Sequence, residues 1–135
     1  MPSGTAVRDS FAKQGALQFL GATMEAVGDG RCVISIEHRD ELTQQDGFFH
    51  AGILTTVADS AGGYAAYSLM PEGSRVLATE FKFNFLRPAR PGRAVAEAKV
   101  VKAGRTLSVT AIDVYVETQD ARTHVATALQ TCICV

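Results

Sequence analysis

Between Asp46 and Glu72 the chain carries a single formal charge if His50 is neutral: the carboxylate of Asp59, set inside an apolar run from Ile53 to Met70. A helix lying on a protein surface shows Lys or Glu at helical spacing on its wet side. This segment shows Thr, Gly and Ala instead, which predicts a helix from about Ala51 to Met70, buried nearly all round and stopped by Pro71, Gly73 and Ser74. At about 100° per residue, Ile53, Leu54, Val57, Ala61, Tyr64 and Ala65 fall on one stripe, with Asp59 roughly opposite its centre. Beside Asp59 lie Thr55, Thr56, Gly62, Gly63 and Ala66. They have little bulk and leave room for a ligand or another chain's backbone, with Gly62, Gly63 and Ala66 as the expected pocket wall. A buried, unpaired carboxylate is costly, so Asp59 is the first candidate functional residue; a hydrogen-bonded structural aspartate is the competing reading.

The rest of the chain narrows the function classes. Its 135 residues, 47% hydrophobic and 20% charged, fit one globular domain spanning residues 1–135. A net charge of −1 supplies no general attraction for nucleic acid or for an anionic membrane. Residues Met1 to Gly21 interleave Arg8, Asp9 and Lys13 with apolar residues, unlike a signal peptide or a membrane span, so a cytoplasmic location is expected. Cys32, Cys132 and Cys134 are odd in number and predict no disulfide framework, with Cys132 and Cys134 on the same side of a strand. His38, His50 and His124 have no metal-ligand spacing, and no metal site is expected.

Alternation supplies the remaining elements. A short helix is expected at Val7 to Gly15, and strands at Ala22 to Val27 and Arg31 to His38, joined through the hairpin signal Gly28-Asp29-Gly30. After the long helix, Thr79 to Leu86 places Phe81, Phe83 and Phe85 on one face and Glu80, Lys82 and Asn84 on the other. Val95 to Val101, Thr106 to Val116 and Thr123 to Val135 are further strands with short connections. Within Thr106 to Val116 the apolar face switches after Ala111, which predicts a bulge or burial on both faces. The fold class is thus α+β, with five to six antiparallel strands wrapped around one long helix.

This order of elements, with Gln44, Gly47-Phe48-Phe49-His50-Ala51-Gly52, Ala58-Asp59-Ser60 and Phe83-Asn84-Phe85-Leu86-Arg87-Pro88-Ala89 followed by Gly92, resembles the hotdog-fold acyl-CoA thioesterases. The branch it is similar to is the phenylacetate-pathway (PaaI-type) and 4-hydroxybenzoyl-CoA group. The resemblance runs from about Gly15 to Val135. It implies that Asp59 attacks the thioester or activates a water, and that the backbone N–H of Ala51, with Gly52 beside it, supports the oxyanion. Free N–H groups and a positive dipole at a helix N-terminus suit that role. The family usually has Gly where this chain has Ala51. Gln44, with Gln45 as its rival, matches the side chain that assists the nucleophile or the leaving group, and His50 matches a residue that steadies the loop before the helix.

A thioester substrate also implies coenzyme A, as part of the substrate and not as a separate cofactor. Arg87, Arg90 and Arg93 are the candidates for its phosphates, with Lys102 and Arg105 at the next turn; solvated turn charges are the alternative. The family's active sites lie between subunits, so a homodimer or homotetramer is expected. The implied activity is hydrolysis of small to medium acyl-CoAs, aromatic ones included. The alternatives are a hotdog hydroxyacyl-thioester dehydratase, whose helix-entry motif is missing around His50 to Leu54, and an acyl-CoA-binding domain without turnover.

Overall fold

The computed structural model describes residues 1–135. The chain runs α1 (Gly4–Ala12), α2 (Gly15–Phe19), β1 (Thr23–Gly28), β2 (Arg31–Glu37), α3 (Ala51–Tyr67), β3 (Val76–Phe85), β4 (Arg93–Ala103), β5 (Leu107–Glu117) and β6 (Arg122–Cys134), with one 3₁₀ turn at Asp40–Leu42. All strands join one antiparallel six-stranded sheet in the order β1-β2-β4-β5-β6-β3. The sheet curls around α3, which is the α+β hotdog arrangement.

Small residues seat the helix. Ala94, Ala96 and Ala98 point inward from β4 and are almost fully buried, so the backbone of α3 approaches closely through Leu54, Val57, Ala58, Ala61 and Ala65. Ile34, Ile36, Ile112 and Val114 fill the flanks of the groove. The fourth side of α3 is covered by α1, where Phe11 meets Tyr64 edge-on at 6.1 Å.

Several boundaries differ from expectation. The long helix ends at Tyr67 and not at Met70, because the Ser68 hydroxyl donates to the Ala65 carbonyl and accepts from the Gly30 N–H, tying the helix end to the β1–β2 turn. The N-terminal helix begins earlier, at Gly4, where Ser3 caps it through the Ala6 N–H, and a second short helix follows. Strand β3 starts at Val76, three residues before the expected start.

The expected switch of face in the fifth strand is overturned. Ser108, Thr110, Ile112, Val114 and Val116 all point inward and are buried, in unbroken alternation. Leu107 and Val109 lie on the outer face. Ser108 and Thr110 are polar yet interior, and for Thr110 the reason is a partner on the next strand, Gln130.

The sheet has two free edges. One is β1, six residues long and interrupted by a bulge between Met24 and Ala26. The other is β3, ten residues long, with Leu77 58%, Phe81 44% and Phe85 48% exposed along it. The Phe81, Phe83 and Phe85 rings pack in a row, the last pair stacked at 5.9 Å. That row faces the helix side of the sheet, where Phe83 packs partly buried against the core while Phe81 and Phe85 stay exposed.

Candidate active site

Asp59 lies in the third turn of α3 and is half-buried. It opens on a cavity of about 320 Å³ lined also by Ser60, Gly63, Tyr64 and Tyr67 of the same helix, Ser10 and Gln14, Ser74 to Ala78, and Gln130. The Tyr64 hydroxyl accepts from Gln14 Nε2 at 2.9 Å and shares a hydrogen bond with Ser10 Oγ at 3.1 Å, which ties the N-terminal helices over the cavity.

Gln130 Nε2 donates to Asp59 Oδ1 at 2.6 Å and to the Asp59 backbone carbonyl at 3.1 Å. Oδ2 makes no hydrogen bond within the chain. Burial raises the Asp59 carboxyl above its ordinary value of 3.8, and the Gln130 hydrogen bond opposes that rise. Burial, with a contribution from the Asp59 charge, also pushes the nearby Cys132 thiol up to about 11, and burial pushes Cys32 up to about 12. Both thiols stay protonated at neutral pH and are poor nucleophiles.

Two expected pocket walls are elsewhere. A Cβ on Gly62 would collide with Gln130 Oε1, so this glycine faces the sheet and not the cavity. Ala66 is fully buried in a small cluster with Met70 and Cys132. Of the three, Gly63 alone lines the space beside Asp59.

The start of α3 builds a second cavity, of about 420 Å³, lined by Gln44, Phe48, Phe49, Ala51, Leu54 and residues Phe85 to Ala89. Gln44 and Phe48 close a turn in which Gln44 Oε1 accepts from the Asp46 N–H, leaving Gln44 Nε2 with no partner in the chain. Gln45 points to Asp46 and is exposed. His50 is the N-cap: its Nδ1 accepts from the Gly52 N–H at 2.9 Å, so the neutral ring carries its proton on Nε2. The Ile53 and Leu54 N–H groups bond to the His50 carbonyl. Ala51 therefore holds the unpaired N–H of the first turn, whereas Gly52's is taken. His38, which carried no motif, braces this loop through Gly47 and Phe49.

Asp59 and Ala51 share one helix but not one cavity. Eight residues at 1.5 Å each separate them by about 12 Å along the axis.

The arginines also divide. Arg87 and Arg90 line a third cavity of about 380 Å³ with Thr118 and Thr123, and neither is in an ion pair. Arg93 is committed to Glu25 at 2.6 Å and Glu117 at 2.9 Å. Lys102 and Arg105 sit at the far end of β4, about 30 Å away along an extended strand, and do not join the group.

Residues 46–122 match the thioesterase superfamily. The chain belongs to that superfamily. A thioesterase family protein from Silicibacter pomeroyi, solved by crystallography, is 46% identical and superposes with a TM-score of 0.93, covering 96% of this chain and 95% of its own. A Halobacterium salinarum protein, provisionally described as an esterase, is 38% identical over 105 residues, 74% of this chain and 69% of its own. The 1,4-dihydroxy-2-naphthoyl-CoA hydrolase of Listeria monocytogenes is 24% identical over 105 residues, 78% of this chain and 85% of its own. This thioesterase is thus a hydrolase. None of its helices is long and apolar enough to cross a membrane.

Proposed function

We propose that the protein hydrolyses acyl-CoA thioesters of small to medium acyl groups, aromatic ones included, at sites each shared by two copies of the chain. The supporting observation is the split just described: the acid and the unpaired helix N–H occupy separate cavities about 12 Å apart on one helix. No single copy can offer both to one carbonyl.

The β3 edge suggests how two copies would. Its start, Val76 to Ala78, borders the Asp59 cavity, and its end, Phe85 and Leu86, borders the Gln44 cavity. Antiparallel pairing of two β3 edges across a two-fold axis sets the start of one strand opposite the end of the other. The Asp59 cavity of one copy then faces the Gln44 cavity of the next, twice per dimer, and the exposed phenylalanine row is covered. A tetramer would pair such dimers again.

In each site Asp59 Oδ2 attacks the thioester carbonyl or takes a proton from an attacking water. The partner's Ala51 N–H donates to the developing oxyanion, at the positive end of its helix. The partner's Gln44 Nε2 is free to donate to the reacting groups. The acyl–sulfur bond breaks, water's oxygen ends on the acyl carbon, and a proton passes to the CoA sulfur. With Arg93 committed, Arg87 and Arg90 are the cations left for the CoA phosphates. His50, spent on the cap, makes a poor base for a dehydratase. The naphthoyl-CoA hydrolase among the relatives agrees with a CoA thioester.

Complementation tests the shared site. Asp59→Asn and Gln44→Ala should each be impaired, yet in a mixed dimer one site regains both wild-type groups. Random exchange of subunits should return about a quarter of wild-type activity. Mixed dimers seen by native mass spectrometry with no recovery of hydrolysis would refute the model.

A further inference from the structure

Gln130 is 1% exposed, in the middle of β6, beneath the turn of α3 that carries Asp59. An apolar side chain would fill that place without any demand for hydrogen bonds. Instead the site is cut to fit an amide. Nε2 reaches both Oδ1 and the backbone carbonyl of Asp59, holding the side chain against its own main chain. Oε1 accepts from Thr110 Oγ1 at 3.0 Å, and Thr110 is Gln130's direct cross-strand neighbour, itself fully buried. Gly62, three residues after Asp59, leaves the notch that Oε1 occupies. A reversed amide would set oxygen against the Asp59 oxygens, so Asp59 selects the orientation, and the Thr110 hydroxyl, able to donate or accept, donates to the Oε1 that then faces it.

We propose that Gln130, anchored by Thr110, is the positioning residue of Asp59: it fixes Oδ1 and leaves Oδ2 as the single oxygen presented to the thioester. The proposal rests on Asp59 being the reacting carboxylate. Both ends of the Gln130 amide are engaged within the chain, so it acts through Asp59. Its hydrogen bond also opposes the effect of burial and keeps more of the carboxylate ionised.

The test replaces Gln130 with Leu, of similar size and without donors, and reads kinetics and Asp59 ionisation separately. In Gln130→Leu, kcat at neutral pH should fall about tenfold, with KM within about twofold. The deficit should shrink as pH rises, and the ¹³C NMR titration of the Asp59 carboxyl should move to higher pH. Thr110→Val should shift both readouts the same way by less, and Thr110→Ser, which keeps the hydroxyl, should restore them. A loss of activity equal at every pH, with the Asp59 titration unmoved, overturns the proposal and makes Gln130 packing only. If Gln130→Leu does not fold, the Thr110 pair decides by the same criteria. If the wild-type protein hydrolyses no acyl-CoA, the functional reading fails, while the ¹³C titration still decides whether Gln130 governs the Asp59 carboxyl.

Discussion

The cavity at Asp59 and the cavity at Gln44 are built along the same helix and are chemical opposites. The first holds a carboxylate among serines, tyrosines and glutamines, with an oxygen that has no protein partner. The second is mostly aromatic and aliphatic and holds an unpaired N–H at the positive end of the helix. An Asp in the first turn would bond to that N–H, as aspartates capping helices do, and each group would quench the other. Placing them two turns apart leaves Asp59 Oδ2 and the Ala51 N–H without a partner in the chain. In the proposed shared site the nucleophilic and electrophilic halves are stored by separation, and assembly of two copies would bring them to one carbonyl.

Neutralising the acidic cavity should have the largest effect. Asp59→Asn should lower hydrolysis at least about 10²-fold while the protein stays folded. It should also melt higher than wild type at neutral pH. The sign follows from the raised native pKa: the folded state favours the protonated carboxyl, so wild-type stability is greatest below the unfolded value and falls as pH rises through the folded one. Asn escapes that loss, so the gap in melting temperature should widen from acid to neutral pH. A gap that narrows, or a variant with normal turnover, would show that Asp59 is structural.

Two adjacent glycines sharpen the same contrast. Gly62→Ala drives a methyl into Gln130 and Thr110 and should cost about 1–3 kcal/mol of stability, read by denaturant unfolding. Gly63→Ala meets nothing within 4 Å and should gain up to about 1 kcal/mol from helix propensity. Because Gly63 lines the cavity, its variant should also lose more activity on bulky aryl thioesters than on short acyl ones. Equal behaviour of the two would mean that the helix faces are misassigned.

The smallest effect is expected at the far side of the second cavity. Arg87→Ala should raise KM for acyl-CoA by a few fold, consistent with one solvated phosphate contact of about 1 kcal/mol. It should leave KM unchanged for the same acyl group on a short thiol without phosphates. Arg93→Ala, already paired with Glu25 and Glu117, should change neither value. A larger KM change from Arg93 than from Arg87 would move the nucleotide to the opposite face of the sheet.

Much of the fold was legible because two periodicities carry it: the uncharged run of α3 and the alternation of the strands. The elements missed were those set by single contacts, such as Ser68 ending the helix against Gly30 and the extra helix at Gly15. In the site, Asp59 stood out as a lone charge among apolar residues. Gln130 did not, because a glutamine in a strand looks like any outward-facing polar residue until its neighbours are known. The misread face of β5 and the missed Gln130 are one error. Thr110 and Gln130 are polar at paired interior positions because the Thr110 hydroxyl donates to Gln130 Oε1 there, and that pairing depends on a strand register the chain does not spell out. The division of the arginines was likewise invisible, since Arg93's partners come from β1 and β5.

The strand order has a consequence for how the molecule comes together in time. β4, β5 and β6 form consecutive hairpins with short turns, whereas β3 precedes them in the chain but pairs only with β6, at the sheet's outer margin. Local pairings close cheaply and early, and distant ones wait. The edge that would receive a second copy is therefore finished after those hairpins. Until then its phenylalanines stand open beside an unpaired strand, the condition in which chains stick to the wrong neighbour. Refolding at high concentration should lose more material to aggregation than refolding at low concentration, and once β3 has docked, the same surface that endangered the chain becomes available to the second copy of the proposed dimer.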